Sequence, residues 1–206
     1  MSGFEVKNLG LIDYVEAYTQ MLHHYQTAEK TRQDEIWCLE HPPVFTQGRH
    51  GSLDHQYNLH NIPLAASDRG GQITYHGPGQ AIIYFLLDLK QHNIGIKALV
   101  NCIEQMCIDQ LAQYGIKSYT VKSAPGIYTD HKKIASLGLR VRNGKTYHGL
   151  AINTDMELAP FSYIDPCGYH GLEMTQISAF FPKITLDQVF SDYTKGFIFN
   201  YFSINT

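Results

Sequence analysis

One stretch limits the possible folds more than any other: KKIASLGLRVRNGKTYHGLAINT, residues 132–154. Asn143-Gly144 stands between two runs of strand character, and this dipeptide accepts the left-handed dihedrals of a two-residue type I′ turn. Such a turn pins the register of its strands. With no bulge, Arg142 faces Lys145, Leu139 faces His148, Leu137 faces Leu150 and Ala135 faces Ile152. These form an apolar face suited to a core. On the reverse face Gly138 lies opposite Gly149 and Ser136 opposite Ala151. Sheet faces are normally filled to near-crystalline density. Either a helix packs closely on this small-residue face, or a slim ligand lies across the strands.

The same alternation places Lys133 on the face of Ala135, Leu137 and Leu139. It either ends the strand and snorkels to water or is a partly buried ammonium whose pKa is lowered by desolvation. Both readings are open at this level.

The remaining pattern is mixed. Leu11, Val15, Tyr18, Leu22 and Tyr25 recur at helical spacing across residues 11 to about 31, and strands are expected near 35–40, 44–47, 72–76 and 81–88. A second helix fits 97–114, with Val100, Ile103, Cys107, Leu111 and Tyr114 on one face and Gly115 as its C-cap. Several strands fill 117–154. Thr185-Leu186-Asp187-Gln188 is a capping box that opens a C-terminal helix. Helices between hairpin-linked strands predict an α/β (α+β) domain with mixed sheets, a single unit over 1–206.

Composition narrows the function. A net charge of −3 and 17% charged residues argue against a general nucleic-acid surface. The N-terminus has no targeting pattern and no apolar run is long enough for a membrane span, so a cytoplasmic protein is expected. No metal-ligand spacing links the eleven histidines and four cysteines. Cys38, Cys102 and Cys107 sit in strand or helix patterns where cysteine behaves as a small buried hydrophobe. Cys167 differs: it stands in DPCGYHG, between proline and glycine in a loop, and is a candidate nucleophile.

RGGQITYHGPGQ, residues 69–80, carries four glycines beside an arginine, a tyrosine and a histidine. Glycine costs conformational entropy on folding, so repeated use marks positive φ or close backbone approach. Gly70, Gly71, Gly77 and Gly79 serve a turn, a tightly packed neighbouring strand or a ligand, and at an acyl-transfer site their amides would be on offer to a developing oxyanion. His76 either orients this loop or is a hydrogen-bonded structural histidine.

Four motifs in order, RGGQITYHGPGQ, GIYTDHKKIASLG, YHGLAIN and DPCGYHGLEMTQ, resemble those of lipoyl(octanoyl) transferases from about Glu40 to Ile177. The resemblance implies the biotin/lipoate protein ligase fold, with Cys167 as acyl-carrying nucleophile and Lys133 as its basic partner. It further implies that Arg69, Gly70, Gly71, Gln72, Ile73, Thr74, Tyr75 and His76 line the acyl site. Ser136, Leu137 and Gly138, and Gly149, Leu150 and Ala151, complete that lining. Arg69 holds the loop or meets an acidic carrier. Expected partners are octanoyl-acyl carrier protein as donor, and as acceptors the apo lipoyl domains of 2-oxoacid dehydrogenases and the glycine cleavage H protein. No cofactor is expected, and a monomer is. His170 and the doubled Lys132-Lys133 look like local variation. Two alternatives remain: an ATP-dependent ligase on the same fold, which would not need Cys167, and a non-catalytic module that binds lipoyl domains or acyl carriers.

Overall fold

The computed structural model describes residues 3–27, 33–51, 58–122, 124–166 and 170–203. Seven strands form the large sheet: β1 (Glu5–Leu11), β2 (Glu35–Glu40), β6 (Gln80–Leu86), β10 (Lys145–Asn153), β9 (Lys132–Arg142), β8 (Ala124–Thr129) and β7 (Tyr119–Val121), in that spatial order. β1 runs parallel to β2, and the other neighbours are antiparallel. A smaller sheet places β3 (Val44–Gln47) between β4 (Leu64–Ala66) and β5 (Ile73–His76). Mixed sheets flanked by helices are the architecture expected from the sequence.

Both faces of the large sheet are covered. Helices α2 (Ile96–Gln113) and α3 (Leu186–Ser203) bury Leu99, Ile103, Met106, Val189, Tyr193 and Phe197 against Ile83, Phe85, Leu150 and Ile152. α1 (Tyr14–Thr27) packs Ala17 and Met21 with Trp37, Leu39, Ile82, Tyr84, Tyr147 and Ala151 on the other side. Each such large apolar side chain contributes about 1.5–3 kcal/mol when fully buried. α2 ends as expected: Gly115 has φ +76°, and the Ile116 amide reaches back to the Leu111 carbonyl. The Gln188 amide donates to Thr185 Oγ1 at 3.2 Å, capping α3.

Three expectations need correction. Leu11 and Val15 are 59% and 58% exposed, and Leu11 ends a strand, β1, that the pattern missed. The buried positions of α1 are Tyr14, Ala17 and Met21, offset from the expected face, because Asp13 accepts the Val15 amide and starts the helix later. Second, the hairpin register is as expected and its turn has φ +54° and +86° at Asn143 and Gly144, but side-chain alternation breaks at His148. His148 has φ +62°, and its ring lies against Tyr18 and Tyr84 on the α1 side, not in the core beside Leu150. A Cβ on Gly149 would meet Phe85 and lie 2.1 Å from the Ile83 carbonyl oxygen, so its bare side belongs to the packed face. Third, the register of β8 against β9 shifts between Ile127 and Tyr128. Ile134 and Ala135 both enter the α2–α3 core, and Lys133 does not share its face.

Candidate active site

A cavity of about 730 Å³ runs along β9 and β10 beneath the loop that follows β4. Ser136, Gly138 and Ala151 form a floor of small residues, with Leu137, Leu150 and the backbone of Gly149 beside them. The close neighbour of Gly138 is not a helix: a Cβ there would sit 3.3 Å from the Gly70 carbonyl and 3.4 Å from Arg69 Cδ. The loop residues Arg69, Gly70, Gly71, Gln72, Ile73 and Thr74, with His76, line the opposite wall. The loop is joined to the floor where the Gly70 amide donates to the Leu139 carbonyl at 3.1 Å. Tyr75 does not line the cavity. Strand alternation turns its ring into a separate cluster with Phe45 and Phe161.

Sequence reasoning missed the remaining wall. Tyr14 comes from α1, Ile82 and Tyr84 from β6, and Ile96, Val100 and Glu104 from α2. Alternation along AIIYFLL separates Ile82 and Tyr84 from their neighbours, but only the packed fold shows which face meets a cavity. Burial pushes the Glu104 carboxyl above its ordinary range.

Arg69 is a strut. Its guanidinium is buried and donates to the Thr46 carbonyl at 2.6 Å, to Thr46 Oγ1 at 2.8 Å and to the Gly70 carbonyl at 2.9 Å. It holds the loop to β3 and is not presented to a carrier protein. The glycines divide by role. Gly71, at φ +82°, and Gly70 face the cavity. Gly77 is bare because a Cβ would lie 2.4 Å from the Tyr75 hydroxyl, and Gly79 because one would lie 1.9 Å from the Asp155 carbonyl oxygen. The Gly79 amide already donates to Glu40 Oε2 at 2.7 Å, and that of Gly70 is committed to Leu139, so neither serves as an oxyanion donor.

Lys133 is 1% exposed and does not snorkel. Its Nζ donates to the Pro125 carbonyl at 2.7 Å and stands 5.7 Å from the Tyr128 ring centroid. Gly126 makes this possible, since a Cβ there would come within 2.3 Å of Lys133 Cε. A lysine so placed lines the cavity with its cation held at one end. Its main chain anchors another segment: the Lys133 amide donates to the Glu173 carbonyl, and its carbonyl accepts from the Thr175 amide, both at 2.9 Å. Cys167 and the adjoining Gly168 and Tyr169 lie outside the described residues. Before them, Asp165 and Pro166 are buried; after them, the exposed His170 contacts Asp165 at 3.1 Å. The described thiols of Cys38, Cys102 and Cys107 are buried and pushed up to about 12, 11 and 12, the wrong direction for a nucleophile.

His76 is a buried structural histidine. Nδ1 meets Gln80 Oε1 at 2.7 Å and Nε2 meets Thr46 Oγ1 at 3.2 Å, and burial holds its pKa well below the ordinary value. Gln80 continues to Asn153 at 2.9 Å, and Asn153 donates to the Thr175 carbonyl at 2.9 Å. A line of hydrogen bonds therefore runs from the glycine-rich loop to the segment pinned on Lys133. Among the described residues, no group of three or more His, Cys, Asp or Glu is arranged to hold a metal ion.

Comparison with known proteins decides the family. The model of the lipoyl protein ligase A/B catalytic domain matches residues 14–198. The chain belongs to the lipoyl protein ligase A/B family. Within that family it is 51% identical over 199 residues to an octanoyltransferase of Francisella tularensis subsp. tularensis (strain WY96-3418), covering 96% of this chain and 97% of the relative. It is 52% identical over 174 residues to an octanoyltransferase of Shewanella baltica, covering 84% and 80%. Among solved structures, the bipartite lipoate protein ligase of Thermoplasma acidophilum superposes with a TM-score of 0.77 at 14% identity, covering 97% of this chain and 84% of that one. The biotin protein ligase of Aquifex aeolicus gives 0.58 at 12% identity, covering 100% and 72%. At these identities the likeness concerns the fold alone, and it is the biotin/lipoate ligase fold expected for this family.

Proposed function

We propose that this lipoyl protein ligase A/B family member is an octanoyltransferase that moves an octanoyl group from a thioester on acyl carrier protein to a lysine of an apo lipoyl domain, in the cytoplasm. The observation that carries the reading is identity of about half, along nearly the whole chain, to relatives named octanoyltransferase. An apolar cavity with a buried lysine at one end supports it.

The steps balance without an added cofactor. The Cys167 thiolate attacks the thioester carbonyl; the carrier sulfur leaves as a thiol by taking a proton from the Lys133 ammonium, so that an octanoyl thioester forms on the protein and Lys133 is left as the neutral amine. The acceptor lysine's ε-amine then attacks that thioester, gives a proton to the neutral Lys133 amine, and becomes an amide as the Cys167 thiolate departs. The lysine cation stabilises the thiolate between turnovers.

Incubation with octanoyl-acyl carrier protein followed by intact mass measurement tests this. The wild-type chain gains one octanoyl group, and Cys167→Ala gains none and transfers none. Transfer by the alanine variant at the wild-type rate refutes the nucleophile. A gain in lipoyl-domain mass that requires ATP and survives Cys167→Ser would make the protein a ligase. Binding of the carrier with no covalent change would make it a binding module.

A further inference from the structure

The reaction leaves one proton without a destination. Lys133 gives a proton to the departing carrier thiol and takes one back from the attacking amine, so its own cycle closes. The acceptor lysine, however, arrives as an ammonium. With an ordinary pKa near 10.4, roughly one in two thousand is neutral at pH 7. The proton it must lose before it can attack belongs to neither of those steps.

The cavity holds a group of the right kind. β8 pairs with β9 only as far as Ala135. Among the described residues, 136–142 therefore have a neighbouring strand on the β10 side alone, and the cavity wraps around this free edge. Ser136 and Gly138 line it from one face of β9; from the other, Leu137, Leu139 and Val141 line it where they pack toward the α2–α3 core. Opposite that second face, Ile96, Val100 and Glu104 come from α2 at intervals of four, so they share one side of the helix.

The chain path gives this arm a direction. Ile96 borders a shallow depression with Val141 and Gly144, beside the hairpin turn. From there α2 leads to β7, where Tyr119 pairs with Tyr128, and Tyr128 pairs with Lys133. Glu104 lies about 12 Å along the helix from Ile96. On β9 that length covers about four residues, from Val141 to Leu137. Of the three α2 residues Glu104 is thus the nearest to Lys133, whose ammonium is held by the Pro125 carbonyl on the same cavity.

Glu104 is half-buried and, among the described residues, makes no hydrogen bond or ion pair. Burial raises its pKa, toward the range in which a carboxylate takes protons at neutral pH. The groups around it do not neutralise it. Burial keeps Cys107 on its own helix and Tyr193 on α3 uncharged. Across the cavity it does the same for Tyr14, Tyr84, His76 and His148. His50 stands on the loop wall, Arg69 is spent on Thr46 and Gly70, and Lys133 donates to Pro125.

We propose that the α2 side of the cavity admits the acceptor lysine and that Glu104 takes its first proton. The aliphatic stem lies along Val100 and Leu137, and the ε-ammonium meets the Glu104 carboxylate. The N–H bond breaks toward a carboxylate oxygen, leaving a neutral amine and a neutral carboxylic acid. The amine attacks the Cys167 thioester, its second proton goes to Lys133, and Glu104 releases the first to water. One proton leaves per amide formed, as the overall change from thioester and ammonium to amide and thiol requires. The octanoyl chain takes the small-residue face, so the two substrates meet across the edge of β9.

This inference rests on the acyl-transfer reading, and two measurements on Glu104→Gln keep the two apart. In the first, the acyl-enzyme is formed with octanoyl-acyl carrier protein, followed by intact mass, and mixed with an apo lipoyl domain. Loading should stay within about twofold of wild type, while amide formation at pH 7 falls roughly a hundredfold. From pH 7 to 9 the variant should gain about tenfold per unit, as the acceptor ionises unaided, and the wild type much less. In the second, the same domain, and a form whose acceptor lysine is replaced by methionine, are titrated calorimetrically into both full chains without donor. Glu104→Gln should weaken the lysine form roughly tenfold and leave the methionine form unchanged. Wild-type amide formation by the variant, or parallel pH profiles, overturns the proposal. Equal weakening of both domain forms, or an equal fall in loading, also overturns it, because Glu104 would then only support the wall. If binding depends on the acceptor lysine and Glu104 together but no acyl-enzyme ever forms, the acceptor site stands and the transferase reading fails.

Discussion

Lys133 and the buried histidines show how single residues take their properties from their surroundings. Lys133→Met keeps the aliphatic stem that fills the space beside Gly126 and removes the amine. It should leave the melting temperature within a few degrees of wild type and abolish octanoyl transfer. Lys133→Arg keeps a charge but cannot release a proton under working conditions. It should restore part of the iodoacetamide reactivity of Cys167 at neutral pH without restoring transfer. Wild-type turnover by the arginine variant would reduce Lys133 to a fixed charge. His41 gives a separate prediction. Burial lowers its pKa to about 4 while Nδ1 meets the Ile12 carbonyl and Nε2 the Tyr84 hydroxyl, each at 2.8 Å. Between its unfolded value near 6.5 and about 4, the unfolded chain binds the proton and the folded chain does not. Stability from this group is complete above pH 6.5 and falls as pH drops through that window. By pH 4.5 the loss from His41 alone should be about 2–3 kcal/mol. Urea unfolding at pH 7 and 4.5 should show that much less loss in His41→Gln than in wild type. His76 and His148 are shifted in the same direction and steepen the wild-type profile.

At the scale of elements, the β9–β10 hairpin combines packing and cavity in one ribbon. Gly149→Ala drives a methyl group against the Ile83 backbone where β10 pairs with β6. It should cost about 2–3 kcal/mol, as overpacking does, and lower the urea midpoint without altering chain-length preference. Ser136 is half-buried and faces the cavity. Ser136→Leu should leave stability within about 1 kcal/mol and shorten the acyl group accepted, measured with hexanoyl and octanoyl donors. Equal destabilisation by both substitutions would mean that the floor is packed rather than open. The contrast was only half legible. Asn143-Gly144 specifies a turn, a turn specifies register, and the pairs Gly138–Gly149 and Ser136–Ala151 followed directly. The side on which Gly149 is bare did not follow, because one left-handed residue, His148, changes the alternation and histidine carries no strong local signal for that conformation. The shift between β8 and β9 redirected Lys133 for a similar reason.

Across the whole molecule, the two faces of the large sheet divide the labour. α2 and α3 build the larger core, where Phe197 is fully buried and its ring centroid lies 4.5 Å from Phe85 and 5.2 Å from Tyr201. Phe197→Ala should cost about 3–5 kcal/mol, seen as a lower urea midpoint, and leave the acyl preference of the remaining folded protein unchanged because Phe197 does not line the cavity. A changed preference would show that the core and the cavity wall are coupled. The sequence by itself determined what depends on neighbours along the chain: the strand and helix periods, the caps at Gly115 and Thr185, the Asn-Gly turn and the ordered motifs of the family. Tertiary structure alone decided what depends on residues far apart in sequence. Thr46 receives Arg69 and makes it a strut; Glu40 takes the Gly79 amide; Asp68 orients His148. Local propensities arise from a few successive dihedrals and can be read from a short window. These partnerships instead depend on which buried polar groups meet once the sheets and helices close over them, and no window of sequence contains both partners.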